Sequence, residues 1–214
     1  MYLLNQSILF PPVEYADAEG LLAIGGDLSS ERLLAAYQKG IFPWFDDSSP
    51  ILWWFPDPRC VLYPHKLKIS SSMKTVLKKN IFSFTINQAF EDVITNCSDM
   101  ERPGQDGTWI TDDVIAAYTK LHHQGYAHSA EAWLGNELVG GLYGVRLGNV
   151  FFGESMFSKA TNASKFAFIK FVEHLQQNGV ALIDCQIHTQ HLESLGAEMI
   201  SGKEFSKLLQ QLIP

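Results

Sequence analysis

Two short stretches place charged or amide side chains inside otherwise apolar runs. In Phe151-Phe152-Gly153-Glu154-Ser155-Met156-Phe157-Ser158, strand alternation sets Phe152, Glu154 and Met156 on one face. A bulge at Gly153 would swing Phe151 to the same side. In Leu182-Ile183-Asp184-Cys185-Gln186-Ile187, alternation pairs Asp184 with Gln186 and points Cys185 the other way. Carboxylates and an amide can accept or hold protons and fix polar substrate atoms. An unpartnered polar group inside an apolar strand costs about 1–3 kcal/mol. Such residues therefore belong to structural networks or to functional sites, and two such strands in one chain favour a site.

Other constellations carry less. His122, His123 and His128 lack accompanying Cys or acid spacing and read as solvated helix-end histidines, so no metal site is expected. Cys185 with His188 suggests a thiol nucleophile, but alternation separates Cys185 from the polar pair. Walker, GxSxG and GxGxxG patterns are absent, and Gly25-Gly26 reads as a turn before a capped helix. Cys60, Cys97 and Cys185 are too few and too scattered for a disulfide framework or a CxxC zinc site, which favours a reducing compartment.

The elements that must position these residues alternate between helix and strand. Up to about Pro58 the chain is rich in aromatics and proline. It contains GGDLSSERLLAAYQKG, a helix capped by Asp27 or Ser29, with Leu33, Leu34 and Tyr37 as its apolar stripe and Gly40 at its end. Pro43, Pro56 and Pro58 are expected to prevent regular structure in the following GIFPWF and ILWWFPDPR. Residues 70–79 then form a short helix with Met73, Val76 and Leu77 inward, and Phe82 to Ile86 a strand. Asn87 is expected to cap a helix that buries Phe90, Val93, Ile94 and Cys97, residues 98–108 a mobile surface loop, and Thr111 the cap of a helix ending at Gly125. Gly135-Asn136 and Gly148-Asn149 divide residues 127–158 into three antiparallel strands. A helix over 162–178, a buried strand over 180–187, a short helix, a strand and a terminal helix follow. The fold class is α+β, a mostly antiparallel sheet flanked by helices.

Of the 214 residues, 46% are apolar, enough for a substantial core. Net charge is −7, yet residues 59–79 hold six basic residues (Arg59, Lys66, Lys68, Lys74, Lys78, Lys79) and no acid. The remainder keeps 10 of the 16 basic residues and all 23 acidic ones, a balance of −13. A basic segment on an acidic chain fits selective contact with a polyanion; a solvated helix face has the same pattern. No secretory leader or membrane-spanning run is read in the sequence, and a cytosolic protein is expected.

Taken in order, GLLAIGGDLSSERLLAAYQKGIFPWF, ILWWFPDPR, GTWIT, ELVGGLYGV, FGESMFS, NASK, LIDCQ and HLESLGAE resemble the leucyl/phenylalanyl-tRNA–protein transferases over nearly the whole chain. The resemblance implies a small N-terminal domain, residues 1–60, packed on a larger one, residues 61–214, like that of the Gcn5-related acetyltransferases. It implies transfer of leucine or phenylalanine, less well methionine, from aminoacyl-tRNA to proteins beginning with Arg or Lys, marking them for degradation, with no cofactor. By position, Glu154, Asp184 and Gln186 match the catalytic network, and Trp44 and Trp109 residues near the terminal adenosine. Leu142, Phe151, Met156, Phe168, Phe171 and Leu175 match the amino-acid pocket, to which alternation adds Phe152. Lys78 and Lys79 match the tRNA-contacting cluster, with Lys74 sharing the load because Ser71 and Thr75 stand where basic residues are expected. The glycine-rich loop that binds acyl-CoA in acetyltransferases is absent. An acyl-CoA N-acetyltransferase and a non-catalytic tRNA- or peptide-binding module are the rival readings.

Overall fold

The computed structural model describes residues 2–100 and 108–214. The chain runs β1 (Tyr2–Leu4), β2 (Leu21–Gly25), α1 (Ser30–Gln38), β3 (Phe42–Pro43), β4 (Leu52–Trp54), β5 (Arg59–Leu62), α2 (Ser71–Lys79), β6 (Ser83–Ile86), α3 (Phe90–Ser98), α4 (Asp112–His123), β7 (Ala127–Leu134), β8 (Glu137–Leu147), β9 (Val150–Ser158), α5 (Ala163–Gln177), β10 (Leu182–Gln186), α6 (Gln190–Ser194), β11 (Glu198–Ile200) and α7 (Gly202–Leu212). Four short strands make a small sheet in the order β1-β2-β4-β3, and seven make a larger one in the order β11-β5-β10-β9-β8-β7-β6. The fold is α+β: a small N-terminal sheet region and a larger sheet flanked by helices.

Local chemistry accounts for most boundaries. The side chain of Ser29 accepts from the Arg32 amide and starts α1, while Asp27 pairs with the Arg32 guanidinium. Ser70 and Thr111 cap α2 and α4 in the same way. The glycines of both Gly-Asn turns take positive φ, 61° at Gly135 and 54° at Gly148, which closes β7, β8 and β9 into an antiparallel meander.

The structure corrects two expectations. The proline-rich stretch is not wholly irregular: β4 forms within ILWWFPDPR, and β3 includes Pro43 because it lies at the sheet edge, where a missing N–H leaves no ladder bond broken. Asn87 does not cap α3; it adopts φ 60° and its Oδ1 accepts from the Ser129 amide, tying the chain to β7. The expected loop over 98–108 falls largely on residues outside the described ones.

Strand alternation divides the apolar interior into two clusters on opposite faces of the large sheet. One takes Tyr143 and Val145 of β8 together with the N-terminal region, α3, α4 and α7. The other takes Leu142 of β8 with the buried face of α5 and the residues packed from α2 and α6. Among the described residues no helix is long and apolar enough to cross a membrane.

Candidate active site

The site forms where two neighbouring strands part. β9 and β10 run parallel and pair only over Val150–Phe152 and Leu182–Asp184. Each carries an irregularity at the parting. On β9, Tyr143 pairs with Ser155 and Gly144 with Gly153, so Glu154 is an extra residue. On β10, Asp184 pairs with Val61 and Gln186 with Cys60, so Cys185 is extra and Gln186 takes φ 62°. A bulge re-aims the side chains around it. Here the two bulges aim Glu154 and Gln186 at each other, and Gln186 Nε2 donates to Glu154 Oε1 at 3.0 Å.

Asp184 acts on this pair from behind. Its fully buried carboxylate accepts from Arg59 Nε at 2.8 Å and from Arg59 Nη2 at 2.7 Å. Arg59 is itself fully buried, donates from Nη2 to the Gly40 carbonyl at 2.9 Å, and lies over the rings of Phe42 and Phe205. Such a planar, two-point pair holds the carboxylate in one orientation. Asp184 Oδ1 then accepts from the backbone N–H of Gln186 at 2.9 Å. Asp184 therefore orients Gln186 through the main chain. Arg59 leaves the basic surface segment to which its sequence position assigned it.

Glu154 is half-buried, and its second oxygen accepts from the Tyr118 hydroxyl at 3.3 Å. Tyr118 in turn is hydrogen-bonded to the hydroxyl of Tyr37, and both tyrosines are fully buried. Removal from water raises the Glu154 carboxyl from 4.5 to about 7; the tyrosine hydroxyls and Arg59 pull it down, and Asp184 adds to the rise. Burial, reinforced by the Glu154 charge, drives both tyrosines well above the ordinary phenol range, so they stay protonated donors.

The gap between β9 and β10 opens into a cavity of about 680 Å³ with a mainly apolar lining. Leu142, Phe151, Met156 and Phe168, four of the residues that the resemblance implied for an amino-acid pocket, line it together, and Glu154 and Asp184 stand at its edge. The bulge brings Phe151 to the side of Met156, while Gly144 leaves the space that the Phe151 ring fills: a Cβ there would sit 2.5 Å from the ring. Phe171 stacks edge-on against Phe151 from behind, 5.0 Å between centroids. Phe152 is a correction. The bulge that brings in Phe151 sends Phe152 to the opposite face, against Tyr37. Leu175 is buried in the cluster around α5 without reaching the cavity wall, and Trp44 and Trp109 pack with the other cluster.

Sequence reasoning missed several participants. Tyr37 looked like an apolar stripe residue of its helix, Tyr118 carried no reading at all, and Arg59 looked like one more surface cation. Its place at the head of a strand that is buried throughout was the available signal. Thr189, His191 and Leu192 complete the cavity wall from the segment after β10, and Cys185 faces the cavity, on the side opposite to Asp184. Lys74, Lys78 and Lys79 are exposed on α2, and Lys66 is paired with Glu198. A larger cleft of about 1180 Å³ lies between residues 13–18 and α7, with mixed charge and none of the three polar site residues. Among the described residues, no group of three or more His, Cys, Asp or Glu converges as metal ligands.

Residues 61–210 match the family model described as leucyl/phenylalanyl-tRNA protein transferase, and residues 26–57 match the model of its N-terminal domain. The chain is 54% identical over 214 residues to the leucyl/phenylalanyl-tRNA–protein transferase of Syntrophobacter fumaroxidans, covering 100% of this chain and 92% of the relative. It is 57% identical over 211 residues to that of Christiangramia forsetii, covering 98% and 100%. Solved structures similar to the chain include L-PGS from Bacillus licheniformis, at 11% identity and a TM-score of 0.48 over 86% of this chain and 70% of that one. A GCN5-related N-acetyltransferase from Kribbella flavida is similar at 7% identity and a TM-score of 0.38, over 77% and 58%.

Proposed function

The chain belongs to the leucyl/phenylalanyl-tRNA protein transferase family, and is thus an aminoacyltransferase; we propose that it moves leucine or phenylalanine, and methionine less well, from aminoacyl-tRNA to the N-terminal Arg or Lys of acceptor proteins. The products are marked for degradation, and the reaction takes place in the cytosol. We assign residues 1–60 to a small N-terminal domain and 61–214 to the catalytic one. The observation that carries this reading is an apolar cavity with a Glu154–Gln186 pair at its edge.

The aminoacyl ester is already activated, so no covalent enzyme intermediate and no cofactor is needed. The α-amine of the acceptor, with a reference pKa of about 7.7–8.0, is partly neutral near neutrality. Its nitrogen attacks the ester carbonyl carbon, the bond to the ribose oxygen breaks, and one amine proton has to leave as the ribose hydroxyl gains one. Gln186 presents its amide oxygen to the attacking amine, and Glu154, poised at about 7, takes up the proton or holds the terminal ribose. The tyrosine pair keeps Glu154 in place. Holding both reactants in line contributes several kcal/mol, within an upper range of about 7–11.

Side-chain selection follows from the wall. Leu142, Phe151, Met156 and Phe168 reward an apolar side chain unbranched at Cβ, such as Leu or Phe. Branching at Cβ disfavours Val and Ile by shape, and polar side chains lose their hydration. Phe171 and Leu175 support the wall, Trp44 and Trp109 receive the terminal adenosine, and Lys74, Lys78 and Lys79 hold the tRNA backbone. The deciding experiment supplies Leu- or Phe-charged tRNA with peptides beginning with Arg, Lys or Glu. Consumption of charged tRNA with Arg or Lys is expected; equal transfer to the Glu peptide refutes the acceptor assignment, and acetyl transfer from acyl-CoA refutes the reading altogether.

A further inference from the structure

Beside the cavity lie two cysteines that the transfer reaction does not use. Cys60 lies on β5, is fully buried, and pairs with Gln186 of β10. Cys185 is the extra residue of the adjoining bulge, half-buried, and lines the cavity. Both side chains belong to the apolar cluster on the α5 side of the sheet. Neighbouring residues across antiparallel strands have Cβ atoms about 4.5–5.5 Å apart, and a disulfide needs about 3.5–4.5 Å. A bulge supplies the local freedom to close that difference. The two thiols already interact: contact with Cys185 lowers Cys60 below the ordinary thiol range, and the same contact raises Cys185 well above it. A pair that shares a proton gives up its first proton more readily than a lone thiol and its second less readily. Cys97 belongs to the cluster on the other face of the sheet and is out of reach of both.

We propose that Cys60 and Cys185 are a peroxide-sensitive thiol pair, and that their oxidation to an intramolecular disulfide switches off the site between β9 and β10. Hydrogen peroxide entering the cavity meets the sulfur of Cys185, which takes its turn as the thiolate of the pair because the shared proton moves between the two sulfurs. The sulfur gives an electron pair to one peroxide oxygen, the O–O bond breaks, and one water leaves as the sulfur becomes a sulfenic acid. The sulfur of Cys60 then attacks that of Cys185, the S–S bond forms, the S–O bond breaks, and a second water leaves. In total two thiols and one peroxide give one disulfide and two waters; the sulfurs lose two electrons and the peroxide gains them. The consequence follows from chain position. Cys185 stands between Asp184 and Gln186, and drawing its sulfur toward β5 displaces the cavity wall and rotates Gln186 out of its bond to Glu154.

The experiment treats the intact chain with hydrogen peroxide, alkylates the remaining thiols and maps the peptides by mass. The expected product is a peptide pair joining residues 60 and 185, lighter by two hydrogens. Aminoacyl transfer is expected to fall by roughly tenfold to a hundredfold and to return with dithiothreitol. Cys60→Ala and Cys60→Ser should keep the transfer of the reduced chain and hold it through the peroxide pulse. A link to Cys97, oxidation of Cys185 to sulfinic acid alone, a 60–185 link with transfer unchanged, or variants as sensitive as the parent each overturn the proposal. The activity arm rests on the transferase reading and the mass arm does not. A reduced chain without transfer defeats that reading, while the peptide map still decides the thiol pair.

Discussion

Replacing Glu154 by Gln isolates what the proton on this side chain does. Burial raises its carboxyl from 4.5 to about 7. Between those values the unfolded chain has released a proton that the folded chain still holds, so stability falls as pH rises through the window. Below pH 4.5 both states are protonated and the penalty is absent; above pH 7 it is complete, about 3 kcal/mol for a displacement of this size. Glutamine has the shape of the protonated acid. Its carbonyl oxygen can accept from Gln186 Nε2, and its NH₂ can donate to the Tyr118 hydroxyl, which then donates to Tyr37. The variant should therefore match the parent in urea unfolding near pH 4.5 and exceed it by up to about 3 kcal/mol near pH 8. Transfer should move the other way. The parent rate should rise with pH through about 7, whereas the variant should lose this rise and run roughly 10²- to 10⁴-fold slower if Glu154 takes the proton. A stability difference that does not change with pH, or a parent rate flat across the same window, refutes the reasoning.

Arg59→Met leaves the buried Asp184 carboxylate without its partner and should cost about 3–5 kcal/mol by urea unfolding; the double change Arg59→Met with Asp184→Leu should cost less than the single one, and a larger cost refutes the pairing account. Met156→Ala widens the cavity wall and should remove about 1–3 kcal/mol of discrimination among Leu-, Phe- and Met-charged tRNAs in competition; an unchanged ranking takes Met156 out of the pocket. Lys78→Ala with Lys79→Ala should flatten the salt dependence of tRNA binding by about 0.7 to 0.9 in slope per lost phosphate contact, and leave transfer from a minimal aminoacyl-adenosine nearly intact. Normal binding of intact tRNA across a salt series returns that helix to a solvated face.

By itself, the sequence determined the features whose causes are local. The meander of β7, β8 and β9 follows from two Gly-Asn turns, α1 from a hydroxyl cap and an apolar stripe, α4 from a hydroxyl cap and a closing glycine, and the exposed cations of α2 from helical spacing. The polar residues in apolar strands, Glu154, Asp184 and Gln186, were also legible, because burying them without partners is too costly to be incidental. What they do to one another was not. Alternation put Phe152 beside Met156 and a bulge at Gly153 was expected to add Phe151, whereas the β9 bulge, imposed by register against β8, puts Phe151 there in place of Phe152, which turns to Tyr37. The second bulge, imposed by register against β5, turns Gln186 to Glu154 and brings Cys185 into the cavity. Tyr37, Tyr118 and Arg59 reach the site from α1, α4 and β5, across sequence separations of up to 125 residues. Such contacts leave no periodic trace, since a tyrosine in an apolar stripe reads the same whether or not its hydroxyl meets a carboxylate. Only the packing of the strands and helices against one another decides which buried polar atoms become partners.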